Sequence, residues 1–253
     1  MGYKKINIYT LCFNEMDILP FVKQYWDYLI SLGVELKVVV FDNGSTDGSI
    51  EFLQNIPYVE IRPFKTEGMN DAIHMYIKNT CWKEAVGNVD WVIVSDMDEI
   101  IYPKSLSVFD KADENDAAII ETGWYTLVED KKPSFNPNKL LHQITTKWNK
   151  HPSYGKYLIF NPNKVKEINF SPGAHTIRPI GNGKIYKSDD TYAFHTNKGF
   201  GIQYKIDKYR YLNNRLSETN KSHHWCIHYS MSDEDIINEY KQMQMEAVDL
   251  SGQ

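Results

Sequence analysis

Two carboxylates, Asp96 and Asp98, stand at i and i+2 just after the apolar run Val92-Ile93-Val94, with Ser95 between. Along an extended chain such a pair points the same way. Hard carboxylate oxygens at that spacing can hold a divalent cation and leave positions open, which suits a diphosphate. A solvated acidic turn satisfies the same spacing; the apolar run before it and the acidic neighbour Glu99 favour the cation. A second cluster, Asp42-Asn43-Gly44-Ser45-Thr46-Asp47, follows the apolar run Leu36 to Phe41. A carboxylate there can accept hydrogen bonds from a ribose or base. The Gly and hydroxyl residues let the chain turn into a helix N-terminus, an anion site, with Thr46 or Asp47 as cap. An ordinary capped strand-to-helix turn fits as well. The third cluster is Cys12-Phe13-Asn14-Glu15, where Asn14 suits a helix cap and Glu15 a first helical turn. No G-x-G-x-x-G follows the first strand and no G-x-x-x-x-G-K-[ST] occurs, so dinucleotide and P-loop binding lack their carriers.

The elements that must position these clusters alternate. Ile6 to Phe13 reads as a strand, 15–32 as a helix ending near Gly33, and Leu36 to Phe41 as a buried strand. A helix follows the Asp42 turn. Val59 to Arg62 is a strand, Asp71 to Val86 a helix and Trp91 to Ser95 a strand. This order implies an α/β fold: a mostly parallel sheet with helices on both faces. Ligands bind such sheets at the carboxyl ends of the strands. Glu15, Asp42 and the 96–99 acids all fall at such ends and should converge on one edge. Beyond residue 100 the pattern loosens. Ala117 to Leu127 and Tyr157 to Phe160 read as strands. Residues 128–156 are polar and turn-rich, with Pro133, Pro137 and Pro152. Residues 161–200 are short strand-like pieces, and 201–216 and 233–250 are helical.

The 253 residues suit one large domain, or a domain with an appendage. Hydrophobic residues at 42% exclude pervasive disorder. Aromatics at 13% allow sugar or base stacking as well as plain core packing. A net charge of −5 excludes a whole-chain basic footprint for nucleic acid. No run of about 18 uncharged apolar residues is present to span a membrane. The N-terminus carries no signal-peptide pattern. The three cysteines, Cys12, Cys81 and Cys226, are too scattered for a zinc site or a disulfide framework, so a cytoplasmic setting is the simplest expectation.

The stretches Thr10 to Pro20, Val40 to Ser49 and Trp91 to Glu99 together resemble family-2-type glycosyltransferases of the GT-A fold, and within them the D-x-D-E, family-92-like branch. Trp124, Gly155-Lys156, Gly173-Ala174-His175 and Phe194-His195 continue the likeness more weakly. The resemblance implies a Rossmann-like nucleotide-sugar half over 1–100, an acceptor half over 101–200 and a C-terminal helical extension over 201–253. It implies that Thr10, Glu15, Asp42 and Asp96 meet the nucleotide, uridine most often. Asp96 and Asp98 would bind a manganese or magnesium ion, with His195 first and His175 second as the further ligand. Glu99 would support the donor sugar, and Trp124 and Lys156 would face the acceptor.

The expected activity is metal-dependent, inverting transfer of a sugar from a nucleotide-diphosphate sugar to a hydroxyl of a glycan or lipid-linked saccharide. Polysaccharide assembly, with peripheral contact at the inner face of a membrane, is the expected setting. Inverting members carry a base in a Glu-Asp-type motif, and no clean copy is present. Glu121, Glu129 and Asp130 are the candidates. A glycoside hydrolase or a non-catalytic glycan-binding protein is the alternative. Two further stretches remain. Tyr204 to Arg215 is basic and aromatic and fits a solvated amphipathic helix or one that faces an anionic lipid-diphosphate acceptor or membrane surface. His223 to His228 fits a surface or core cluster, or a metal pair at His224 and His228 on one helix.

Overall fold

Val38, Val39 and Val40 are wholly buried, and so are Ile6, Trp91 and Val92 beside them. Strands apolar on both faces need helices on both sides. The computed structural model describes residues 3–151, 155–196 and 199–253. Pro152 of the turn-rich segment lies outside them. Eleven strands and eight α-helices form among the described residues.

In chain order the first elements are β1 (Lys4–Cys12), α1 (Leu19–Ser31), β2 (Val34–Asp42), α2 (Ser49–Leu53), β3 (Val59–Pro63), α3 (Asp71–Thr80), β4 (Trp91–Asp96), β5 (Glu99–Pro103) and α4 (Ser107–Glu114). Then follow β6 (Ile119–Leu127), α5 (Leu141–Ile144), β7 (Trp148–Lys150), β8 (Lys156–Phe160), β9 (Val165–Glu167), β10 (Ile180–Gly181) and β11 (Ile185–His195). The chain closes with α6 (Ile202–Asn214), α7 (Glu218–Ser222) and α8 (Asp233–Met245). The main sheet has the order β3-β2-β1-β4-β8-β6-β11-β5, with β7 beside β6; β9 and β10 form a separate ribbon.

From β3 to β4 every pairing is parallel, and β6 pairs with β11 in parallel. β8, β5 and β7 run against their neighbours. Six of the nine strands therefore share one direction, and the α/β, mostly parallel expectation holds. Register sets the convergence of strand ends. Cys12 lies opposite Asp42, and Leu11 opposite Asp96.

β4 and β5 are joined only by Met97 and Asp98, yet β8, β6 and β11 stand between them in the sheet order. The sheet curls to allow this. β8 meets β4 only at Val92 and Ile93. Above that point the 96–99 turn sits in a notch, with Lys156 at one strand start and Glu99 at another.

Several local expectations shift. Asn14 does not cap α1. It takes a left-handed φ of 54°, and its carboxamide oxygen accepts from the Thr46 amide at 2.8 Å. Helix α1 starts at Leu19, with Pro20 in its first turn. The residue preceding α2 is Gly48, at φ 94°, rather than Thr46 or Asp47; Asp47 accepts from the Ser49 amide and hydroxyl. His224 and Cys226 both take positive φ, so His224 and His228 share no helix.

Candidate functional site

Beneath the strand ends lies a cavity of about 490 Å³, a size that suits a small-molecule ligand. Its floor is Asp96, Met97, Asp98 and Glu99. Phe13, Glu15 and Asn43 come from the ends of β1 and β2, and Trp124 and Thr126 from β6. His151, His175 and His195 supply imidazoles. Lys205, Lys208 and Arg215 of the α6 region form the opposite wall.

Every acid of the floor has a lysine. Asp96 meets Lys78 of α3 at 2.7 Å. Glu99 meets Lys156 of β8 at 2.6 Å, both fully buried, and Glu99 also accepts from the Asp96 amide. Asp98 meets Lys208 of α6 at 3.0 Å and His195 Nε2 at 3.5 Å, both through Oδ2. Burial alone would push these carboxyls up. The Lys208 and His195 charges override it at Asp98 and hold it well below the usual carboxylate range. Lys156 and Lys78 do the same for Glu99, which falls to about 2. At Lys78 burial acts downward, but Asp96 and Glu99 raise the ammonium pKa. Lys205 has no such carboxylate contact; burial, then the nearby Lys208 charge, lowers it to about 7. Its ammonium lies 4.6 Å from the Tyr209 ring centroid.

Asp98 and His195 therefore come together as expected, while Asp96 turns to Lys78. Among the described residues no group of three or more His, Cys, Asp or Glu side chains is gathered to hold a metal ion. One carboxylate oxygen and one imidazole nitrogen are donor types that a manganese or magnesium ion would accept. His175 lies beside Trp124, at 5.5 Å between rings; burial, then Lys156, lowers it to about 4 and keeps it neutral.

The other expected residues divide. Glu15 and Glu99 line the cavity. Asp42 sits just behind, its carboxylate accepting from the Gly44 and Ser45 amides and the Ser45 hydroxyl. It shapes the turn that presents Asn43. Thr10 is buried under the site and lines a separate small void with Tyr25 and Ser95. Lys156, expected at the acceptor, is buried beneath Glu99 because it neutralises that acid. Trp124 does line the cavity, with its ring stacked on His151 at 4.3 Å and 4.4 Å from the Lys156 ammonium. None of the three base candidates lines it. Glu121 packs on the Gly155 backbone, Glu129 accepts from the Thr146 and Lys147 amides, and Asp130 pairs with Lys147.

Sequence reasoning missed Lys78, gave Lys156 another role and read Lys205 and Lys208 only as part of a basic, aromatic stretch. Helix α6 is neither simply solvated nor turned outward: Lys205, Lys208 and Tyr209 are directed into the cavity. The i, i+3 spacing of Lys205 and Lys208 just after His195 was the available signal. His228 also lines the cavity, from the C-terminal segment. Met69 and Arg215, Ser217 and Met69, and Asp71 and Asn220 join by hydrogen bonds that tie that segment to the loop after β3.

The site lies at the carboxyl edge of the parallel strands of a curled α/β sheet, where such sheets bind ligands. Residues 8–176 match the family model described as Glycosyl transferase family 2, and the chain belongs to that family. Among solved structures it is similar to S. aureus TarS 1-349, at 15% identity, 94% of this chain, 71% of that one and a TM-score of 0.42. The same protein in complex with UDP aligns at 15% identity, 93% and 70% coverage and 0.41. A longer S. aureus TarS structure aligns at 15% identity and 0.40, over 94% of this chain and 43% of that one. No curated protein sequence matches. No described helix is long and apolar enough to cross a membrane.

Proposed function

We propose that this family-2 chain transfers a hexosyl unit from a nucleoside-diphosphate sugar, a UDP-sugar first, to a hydroxyl of a glycan or lipid-linked saccharide. The observation that carries the reading is the cavity, floored by Asp96, Asp98 and Glu99 and walled by cations. A diphosphate needs the cations, and fixed acids orient a donor and its counter-ion. A manganese or magnesium ion at Asp98 and His195 would neutralise the charge that builds on the departing diphosphate. Glu15 and the Asp42 turn would meet the nucleoside. Glu99, with its proton removed at any neutral pH, would hold the floor in place under the donor sugar. Trp124 and its stacked His151 would face the acceptor. Inversion by single displacement requires a base beside the acceptor hydroxyl. Polysaccharide assembly at a membrane surface remains the proposed setting.

Thermal shift with UDP, GDP, CMP and ADP, each with and without manganese, tests the reading. A ligand that binds only the folded chain raises its melting temperature. One nucleotide should shift it in a metal-dependent way, and Asp98→Ala should remove the shift while the fold persists. No shift with any of the four overturns the proposal.

A further inference from the structure

Lys78 and Lys156 meet their acids from outside the cavity lining, with side chains 6% and 1% exposed, whereas Lys208, 9% exposed, lines it. Lys208 arrives from the opposite wall. It lies on Asp98 Oδ2, the same oxygen that faces His195 Nε2. An ammonium and a divalent ion crowded on that one oxygen repel each other strongly in a buried setting, so each weakens the hold of the other. We propose that Lys208 is an exchangeable cation of the donor site: its ammonium holds Asp98 in the free protein, yields that oxygen to a divalent cation, and then binds a donor phosphate oxygen. The inference rests on the proposed function and adds a residue to it.

Three observations support the exchange. Asp98 is buried, so without Lys208 or a metal ion its carboxylate would have only His195 to offset the cost of burial. A lysine, with its flexible four-carbon stem and three rotatable donors, can let go of one oxygen and reach another. The helix itself is anchored. The Gly201 amide before its first turn donates to the Tyr240 hydroxyl at 3.2 Å. The Arg215 carbonyl beyond its last turn accepts from the Met69 amide at 2.6 Å. Movement thus falls on the side chain and keeps Lys208 within the cavity.

The test is calorimetric titration of the full chain, first with manganese alone, then with UDP at saturating manganese. Lys208→Met should bind manganese about tenfold more tightly, because its competitor is gone, and bind UDP about tenfold more weakly. Lys208→Arg should return both toward wild type. A lysine with a purely structural role would, when replaced, weaken both ligands. That result, or unchanged manganese affinity beside normal wild-type UDP binding, overturns the inference and leaves the proposed function standing. Failure of the wild-type chain to bind UDP or any of the other three nucleotides with manganese overturns both. Should Lys208→Met fail to fold, Lys208→Gln carries the same expectations.

Discussion

The floor of the cavity and its α6 wall bear opposite charges on unlike supports. The floor acids are fixed by strand register and by lysines buried behind them; Glu99, for one, is held by Lys156 at 2.6 Å and pairs with His195 across β5 and β11. The wall cations ride on long side chains of a helix anchored at its ends. Fixed acids provide a template that does not reorganise when a ligand arrives, which is what electrostatic preorganisation requires. Movable cations can follow the charge as it enters. The difference assigns geometry to the floor and adjustment to the wall.

The largest expected effect breaks the floor. Lys156→Met leaves the Glu99 carboxylate buried without its partner and should cost about 3–5 kcal/mol in urea unfolding, with part recovered in the Lys156→Met, Glu99→Gln double variant. Equal losses in the single and double variants would show that packing, not charge, holds the notch.

Next comes acid. The Glu99 carboxyl falls from 4.5 to about 2 on folding, so the unfolded chain takes up its proton first as pH drops. Its contribution is complete above about pH 4.5 and should be lost between there and pH 2. Glu99→Gln should flatten that part of the stability profile. Lys208→Met should cost less than Lys156→Met, on the order of 1–2 kcal/mol, because Asp98 keeps His195 and its side chain is the more exposed, at 11% against 4% for Glu99. A cost as large as that of Lys156→Met would erase the distinction between floor and wall.

Alkaline pH tests the wall. Lys205 falls from 10.5 to about 7 on folding, so between those values the unfolded chain holds more protons and stability should rise with pH. Lys205→Met should remove that rise. The smallest effect falls on an α6 tether: Arg210→Ala breaks an exposed pair with Asp233 and should change stability by less than about 1 kcal/mol.

The floor was legible in sequence and the wall was not. Val92-Ile93-Val94 before Asp96 announces a buried strand that ends in acids, and local periodicity suffices to read it. Strand β5 escaped because Glu99 to Pro103 is only five residues long and abuts the acidic motif. Helix α4, of eight residues, escaped for the same reason of length. The lysines are harder. Lys78 lies within α3 and Lys208 within α6, where a lysine normally faces water, and only the curl of the sheet brings an acid to each. Asn14 shows the converse: its type suggested a helix cap, but its carboxamide oxygen accepts from the Thr46 amide and not from the start of α1.

The bonds between the loop after β3 and the end of α6 have a consequence for how the chain matures. Asp71 and Asn220 meet across 149 residues of sequence, and Met69 meets Arg215 and Ser217 beside them. Contacts of such separation form late, because the intervening chain must first be ordered. On the ribosome, β1 to β4 emerge and can pair long before residue 215 exists. The acids at the strand ends thus stand ready first, and the pocket is sealed only when the segment through Asn220 has been made.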